Sequence, residues 1–352
     1  MHISIGILAH NESKVIRRML CSLFAQSIFQ GSDLQIEQVE VVVVPNGCSD
    51  DTAELARQTL QDLVPSQQAS LSWQVRELTT PGKSNAWNQY VHSFASNSAD
   101  YLLLVDSDIE FIELGTLESM LKTLERQSST WVAVDRPVKD VAVKQSKSLM
   151  EKLSVLASGI SGNKAAPGEP AWICGQLYCA RAEILRQIWL PLNIINDDSF
   201  IYTNVVTAGL TTPVNPYRVI RAKEASHIFE AYTDLPRLLR HEKWLIVGSA
   251  INELIYQDLQ DNNDIALTIR ARNEANARWV QELIEKQADR QGWWLIPNFI
   301  LLRRFISLGQ KPLYKSLLLL PLVFCAFVLD AWLALRANLE LHQGKGLGYW
   351  GK

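Results

Sequence analysis

An α/β fold with a mostly parallel sheet flanked by helices is predicted by three features of the sequence. Apolar runs of strand length alternate with helical periodicities through residues 1–135, each run ends in a polar cluster, and one run closes on paired acids. That run is Leu102-Leu103-Leu104-Val105-Asp106-Ser107-Asp108. Packing a buried strand needs no charge, so two acids at its C-terminal edge sit where an open α/β sheet places its ligands. Acids spaced i, i+2 point the same way along an extended segment. Their hard oxygens suit Mg²⁺ or Mn²⁺ holding a nucleotide diphosphate.

The elements follow in order. Residues 3–9 read as a strand, His10-Asn11-Glu12-Ser13 as a polar turn, and 14–26 as a helix with Val15, Met19, Leu20 and Leu23 at helical spacing. The β-branched run 39–44 is broken by Pro45-Asn46-Gly47-Cys48, and Ser49 is expected to cap a helix whose Asp50 and Asp51 suit its positive end. A third strand is expected near 73–78, leading through Thr79-Thr80-Pro81-Gly82-Lys83 to a helix over 85–95, and 101–105 is the fourth. Each polar cluster follows a strand, so all four should converge on one rim. Neither a Walker loop nor a G-x-G-x-x-G follows any of these four strands, so phosphates at this rim must be held by a metal and side chains.

Composition narrows the function classes. With 352 residues, 47% hydrophobic and 20% charged, the chain can bury a full core as one large or two modest domains. A net charge of −3 gives no general reason to bind nucleic acid. The five cysteines are odd in number and lack zinc-type pairs, which points to a reducing compartment. The N-terminus has neither the basic start nor the long apolar core of a secretory signal, so a cytoplasmic location is expected.

The motifs A-H-N-E at 9–12, V-V-V-V-P-N-G-C-S-D-D-T at 41–52, P-G-K-S-N-A-W-N at 81–88 and L-L-L-V-D-S-D at 102–108 resemble, in order, those of family 2 inverting glycosyltransferases with the GT-A fold. The likeness continues in three places. C-G-Q-L-Y-C-A-R at 174–181 resembles the family's acceptor-loop segment, N-D-D-S-F-I at 196–201 its acidic E-D motif, and R-H-E-K-W at 240–244 the Q/R-x-x-R-W motif of membrane-associated members. Asp197 stands for the glutamate of the second motif, and Lys243 for the arginine of the third. The resemblance implies a GT-A domain over 1–250, with a nucleotide-sugar half at 1–135 and an acceptor half at 136–250, followed by a helical, membrane-associated region at 251–352.

Position by position, the resemblance implies that Ala9, His10, Asn11 and Glu12 line the nucleotide pocket and that Asn46 reads a pyrimidine edge. Lys83 would approach the diphosphate. Asp106 would bind ribose or the metal's water, and Asp108 the metal itself, Mn²⁺ or Mg²⁺. Asp198 would be the catalytic base with Asp197 in support. Arg240 and Lys243 would contact the diphosphate, with Trp244 stacking near the acceptor. The reading is a metal-dependent inverting transferase moving a sugar from a nucleotide-sugar donor, a UDP-sugar, to a hydroxyl of a lipid or lipid-linked acceptor. The alternatives are transfer to a saccharide chain or soluble metabolite, or a catalytically silent nucleotide-sugar-binding subunit of a membrane complex.

Membrane signals gather near the end. Residues 292–306 mix aromatics, aliphatics and Arg303-Arg304 as interfacial helices do, and 316–335 is an apolar run just long enough to span. A single span or a monotopic anchor on the cytoplasmic face is expected, with Arg303, Arg304, Lys311 and Lys315 on the cytoplasmic side. Residues 138–170 read as flexible or partly helical, and 256–278 as a solvated surface helix pair or connection.

Overall fold

The computed structural model describes residues 1–64, 70–143, 165–231, 234–262, 264–309, 312–344 and 347. The first half is a parallel sheet of β1 (His2–Ala9), β2 (Gln38–Pro45), β3 (Leu71–Val75) and β4 (Tyr101–Asp106), in spatial order β3-β2-β1-β4. Helices α1 (Ile16–Phe24), α2 (Thr52–Leu63) and α3 (Lys83–Gln89) connect them. Register fixes the rim: Ala9 lies beside Pro45, and Leu8 beside Asp106. The polar clusters after β1, β2 and β4 therefore meet at one edge.

The sheet continues past β4 through β7 (Leu177–Arg181), β6 (Val132–Lys139), β8 (Val219–Phe229) and β5 (Glu110–Phe111). β7 runs antiparallel to both β4 and β6, which brings the loop before β7 to the same rim, where the Asp106 N–H donates to the Gln176 carbonyl. Alternation along β4 supplies both faces of the sheet. Leu102 and Leu104 pack into one core, with Trp87 and Tyr178, while Leu103 and Val105 join Met19, Leu20 and Leu23 of α1 in the other. Helix α4 (Thr116–Arg126) adds Leu117, Met120, Leu121 and Leu124 to that second core.

Three boundaries differ from the sequence reading. Helix α2 starts at Thr52 and not at a Ser49 cap, because the Asp50 carboxylate accepts the Thr52 N–H and closes an extra turn first. The third strand ends at Val75, although Leu78 still donates its N–H to the Pro45 carbonyl. Helix α3 begins at Lys83 and passes into a π-helical turn, Tyr90–Phe94. Of the stretch 138–170, residues 144–164 lie outside the described residues.

Helices α5 (Asp197–Thr207), α6 (Leu235–Leu259), α7 (Ile265–Ala275), α8 (Trp279–Gln291), α9 (Asn298–Gly309) and α10 (Leu313–His342) cover the first core. The expected division at 250/251 falls inside α6, and Ile251, Ile269, Ile284 and Leu333 all join the core that holds β4, so the two parts share packing. Segment Ser316–His342 of α10 is long and apolar enough to cross a membrane; its most apolar 18-residue window has a mean hydropathy of 2.4 and is 17% buried. Its two halves differ. Leu333, Ala334, Ala337 and Leu341 are buried against the body, whereas Leu317, Leu318, Leu322 and Phe324 are exposed. Asp330, at the division, is 1% exposed and takes hydrogen bonds from Arg303 and Arg304 of α9.

Candidate functional site

At the rim, the loop after β1 is held by the loop after β2. The His10 Nδ1–H donates to the Asn46 carbonyl at 2.7 Å, and Asn11, in the left-handed region at φ 55°, accepts the Ser49 N–H at 2.8 Å through Oδ1. Ala9 is buried. Glu12 is also buried: its N–H donates to Thr52 Oγ1 at 2.7 Å, and its carbonyl accepts the Ile16 N–H at the start of α1. Burial works against the charge of Asp50, but hydrogen bonds from Thr52 and Ser13 outweigh it and bring its carboxyl down to about 2. Asn46 is fully buried, and its amide donates to the Gly82 carbonyl at 2.8 Å. That bond sets the loop leading to Lys83. Asn46 Oδ1 is buried and has no hydrogen-bond partner among the described residues.

Lys83 joins the two halves. From the first residue of α3 its Nζ lies 3.1 Å from Asp106 Oδ1 at the end of β4 and 3.9 Å from Asp197 Oδ2 at the start of α5, and it donates to the Gly175 carbonyl at 3.4 Å. Gly175 is where the chain comes closest to Asp198: a Cβ there would stand 3.2 Å from the Asp198 Cβ. Asp106 is fixed from the other side, because its N–H donates to the Gln176 carbonyl at 2.8 Å. Lys83, Asp106, Gly175, Asp197 and Asp198, spread over more than a hundred positions of sequence, thus form one cluster. Asp108, exposed on the turn after β4, adds its charge to Asp106.

The electrostatics are unbalanced. Among the described residues, four carboxylates share the neighbourhood of one ammonium. Burial, with the neighbouring Asp108 and Asp197 added to it and Lys83 against it, raises Asp106 to about 6. Burial and then Asp197 push Asp198 up as well. Burial disfavours the Lys83 charge, yet Asp106 and Asp197 outweigh it and hold the ammonium well above the ordinary lysine range. Burial lifts the Cys174 thiol to about 12, so it offers no thiolate nucleophile beside the acids.

The donor set fits a hard divalent cation. No group of three or more His, Cys, Asp and Glu among the described residues forms a ready cage. Mg²⁺ and Mn²⁺ sites at phosphates characteristically use one or two carboxylates and complete the shell with substrate oxygens and water. Asp106 and Asp108 are the two carboxylates at this rim that could form such a pair.

Several contacts at this site carry no sequence signal. His227 and Asp135 are both buried on β8 and β6. The His227 Nδ1–H donates to Asp135 Oδ2 at 2.7 Å, and its Nε2 lies 3.2 Å from Gln176 Oε1, behind the residue that holds Asp106. Trp172, 59% exposed, stacks on Tyr202 of α5 with ring centroids 4.0 Å apart. Tyr202 follows Asp198 by four residues, hence on the same helix face.

The described contacts of Arg240 and Lys243 in the R-H-E-K-W motif are with the C-terminal helix. The motif lies on α6, where Lys243 pairs with Glu340 of α10, and Arg240 lines a cleft between these two helices. Trp244 is half-buried on the same helix. The contact of α6 with the acids comes further along: a Cβ on Gly248 would meet Asn196 Cβ at 2.6 Å, and Asn252 donates to the Asn196 carbonyl at 2.9 Å, one residue before Asp197. Because Lys243 is spent on α10, it is not among the groups that balance the acids.

Known proteins resemble this arrangement at two levels. In three dimensions the chain is similar to a mannosyltransferase from Pyrobaculum calidifontis in complex with GDP-Man and Mn²⁺, at 18% identity and a TM-score of 0.53 over 97% of this chain and 87% of that one, which shows a shared fold. A weaker likeness, TM-score 0.46 at 17% identity over 100% of this chain and 93% of that one, is to TarS 1–349 from S. aureus in complex with UDP. A search of curated proteins finds no significant match. In sequence, residues 4–185 match the profile of glycosyl transferase family 2, more than half of the chain and including every strand of the parallel rim. The chain therefore belongs to glycosyl transferase family 2, and its GT-A-type sheet and rim are those of a transferase.

Proposed function

We propose that the chain is a metal-dependent inverting glycosyltransferase that moves a sugar from a nucleotide-sugar, a UDP-sugar, to a hydroxyl of a lipid or lipid-linked acceptor at the cytoplasmic face of a membrane. The observation that carries this reading is Lys83 reaching Asp106 and Asp197 together, because it joins the donor rim to the acidic pair. A catalytically silent binder would need the rim, but not a buried, uncompensated acid pair beside it.

Each residue has a task. Ala9, His10, Asn11 and Glu12 shape the base and ribose end of the donor site, and the unpartnered Asn46 Oδ1 matches an N–H donor on a base edge. Asp106 and Asp108 are the residues that would hold Mn²⁺ or Mg²⁺. A divalent ion held there neutralises charge developing on the departing diphosphate. The Mn²⁺ and GDP-Man bound by the mannosyltransferase of the same fold support a metal-bound diphosphate as the leaving group. Lys83 gives a fixed positive charge at the same edge and keeps Asp106 oriented.

Asp198 takes the acceptor proton. As the acceptor oxygen bonds to the anomeric carbon, the bond from that carbon to the diphosphate oxygen breaks, the electron pair leaves with the diphosphate, and the hydroxyl proton passes to Asp198. A base whose carboxyl is raised by burial and by Asp197 is better matched to neutral pH than an ordinary aspartate. A single displacement with the base opposite the leaving group inverts the anomeric centre. Asp197 supports through charge.

The lipid acceptor and membrane face are supported by the C-terminal helices. Helix α6 touches Asn196 at Gly248 and α10 at Lys243, so the acids stand one helix away from an exposed apolar surface. The free apolar part of α10, residues 313–329, is about 25 Å long, short of the roughly 30 Å of a bilayer core. Its other half is packed on the body, which favours a monotopic anchor over a single span. The test is a panel of UDP- and GDP-sugars offered with extracted membrane lipids, with mass spectrometry of products. A new glycolipid requiring Mn²⁺ or Mg²⁺ and absent with Asp198→Asn is expected; transfer to water-soluble acceptors alone contradicts the lipid reading.

A further inference from the structure

The cleft between α6 and α10 is distinct from the donor rim and has a mixed character. It encloses about 490 Å³, with Leu235, Leu239 and Leu333 among its apolar walls and Arg240, Lys243 and Arg336 among its cations. Lys243 is neutralised by Glu340. Arg240 and Arg336 have no acidic partner among the described residues, and Arg336 lies over the Trp332 ring, 4.8 Å from its centroid. Two uncompensated guanidiniums above leucine walls form a site with a charged end and an apolar end.

The apolar end opens onto exposed surface. Leu235 and Leu238 of α6 and Trp332, Leu335 and Leu339 of α10 are exposed, continuing the apolar face of Leu317, Leu318 and Phe324. Water has no reason to favour that arrangement, and an acidic peptide would pair the arginines without using the continuous apolar face. We propose that this cleft binds the phosphate-bearing head group of a membrane amphiphile, its phosphate on Arg240 and Arg336 and its first methylenes along the leucine wall and Trp332. Planar guanidiniums suit phosphate oxygens, and a tryptophan at the mouth suits a membrane interface. The proposal rests on the membrane reading above and identifies where the lipid is held.

The test uses the full chain and dihexanoyl phosphatidic acid below its micelle concentration, measured by calorimetry. Saturable binding of one molecule per chain is expected, weakened about tenfold or more by the pair Arg240→Gln and Arg336→Gln and also by Trp332→Ala. Inorganic phosphate and octyl glucoside, each carrying one half of the chemistry, should bind at least about tenfold more weakly than the amphiphile. Vesicles of phosphatidylcholine with phosphatidic acid should retain the parent better than the double variant. Melting curves establish that the variants are folded. Equal affinity in parent and double variant overturns the proposal, as does phosphate binding as tightly as the amphiphile, or no binding of the amphiphile. UDP binding, followed separately, reports on the donor site, so a failure of the lipid cleft and a failure of the donor reading are told apart.

Discussion

Two buried acid clusters in this molecule are built on opposite principles. At the rim, Asp106, Asp197 and Asp198 share Lys83, with Asp108 adding a further negative charge. On α10, Asp330 alone receives both Arg303 and Arg304, and Arg303 also reaches Glu242. The second cluster is balanced by its own chain and needs nothing more. Among the described residues the first is short of positive charge, a state that raises carboxyl pKa values and that, under the proposed function, a cation and substrate would meet. Over-supplied acid marks chemistry here, and matched charge marks architecture.

The comparison breaks most sharply at the base. Asp198→Asn preserves shape and removes the proton acceptor, so transfer should fall by roughly 10²–10⁴-fold while UDP binding persists. Product assays beside nucleotide titrations check it, and near-parental transfer would put the base elsewhere. Asp330→Ala should do the reverse. It leaves two arginines facing each other and should cost about 1–3 kcal/mol, discounted because both are more than a third exposed, with specific activity of the folded fraction unchanged. Denaturant melts measure the first quantity and active-site-normalised rates the second.

Smaller effects sharpen the contrast. Mn²⁺ with UDP should raise the melting temperature of the parent, by the equivalent of about 2.7 kcal/mol at a hundred times the dissociation constant, and leave Asp108→Asn almost unmoved. In the metal-free protein, pH should matter in an unusual direction. Asp106 is raised from its ordinary 3.8 to about 6, so the folded state holds that proton more tightly than the unfolded one. Its contribution is fully present below pH 3.8 and is lost as pH rises through about 6. Asp106→Asn should flatten that limb in melts between those values; an unaltered slope would remove Asp106 from the accounting.

Much of this was legible because strand ends are local events. The runs 3–9, 39–44 and 101–105 each stop at a polar cluster, and parallel pairing then aligns Ala9 with Pro45 and Leu8 with Asp106 without further information. The acids at 106 and 108 could be named for the same reason, whereas those at 197 and 198 were named through the resemblance and open a helix. Their joining by Lys83 could only be expected in outline. What escaped depends on distant packing. Lys243 meets Glu340 across 97 positions and His227 meets Asp135 across 92, and no periodicity encodes either contact. The pairing of Lys243 with Glu340 could not be foreseen, because the helix that claims it lies at the far end of the chain. Residues 177–181 similarly read as loop and form β7, since antiparallel pairing with Tyr101–Asp106 decides it.

Central to the proposed function is one divalent ion held with the diphosphate by Asp106 and Asp108, beside a base, Asp198, that is not its ligand. Electron paramagnetic resonance of Mn²⁺ titrated into the protein with UDP measures this directly. One tightly held ion per chain, lost in Asp106→Asn with Asp108→Asn and retained in Asp198→Asn, is the expected result. A stoichiometric Mn²⁺ signal that survives the double substitution unchanged would contradict it.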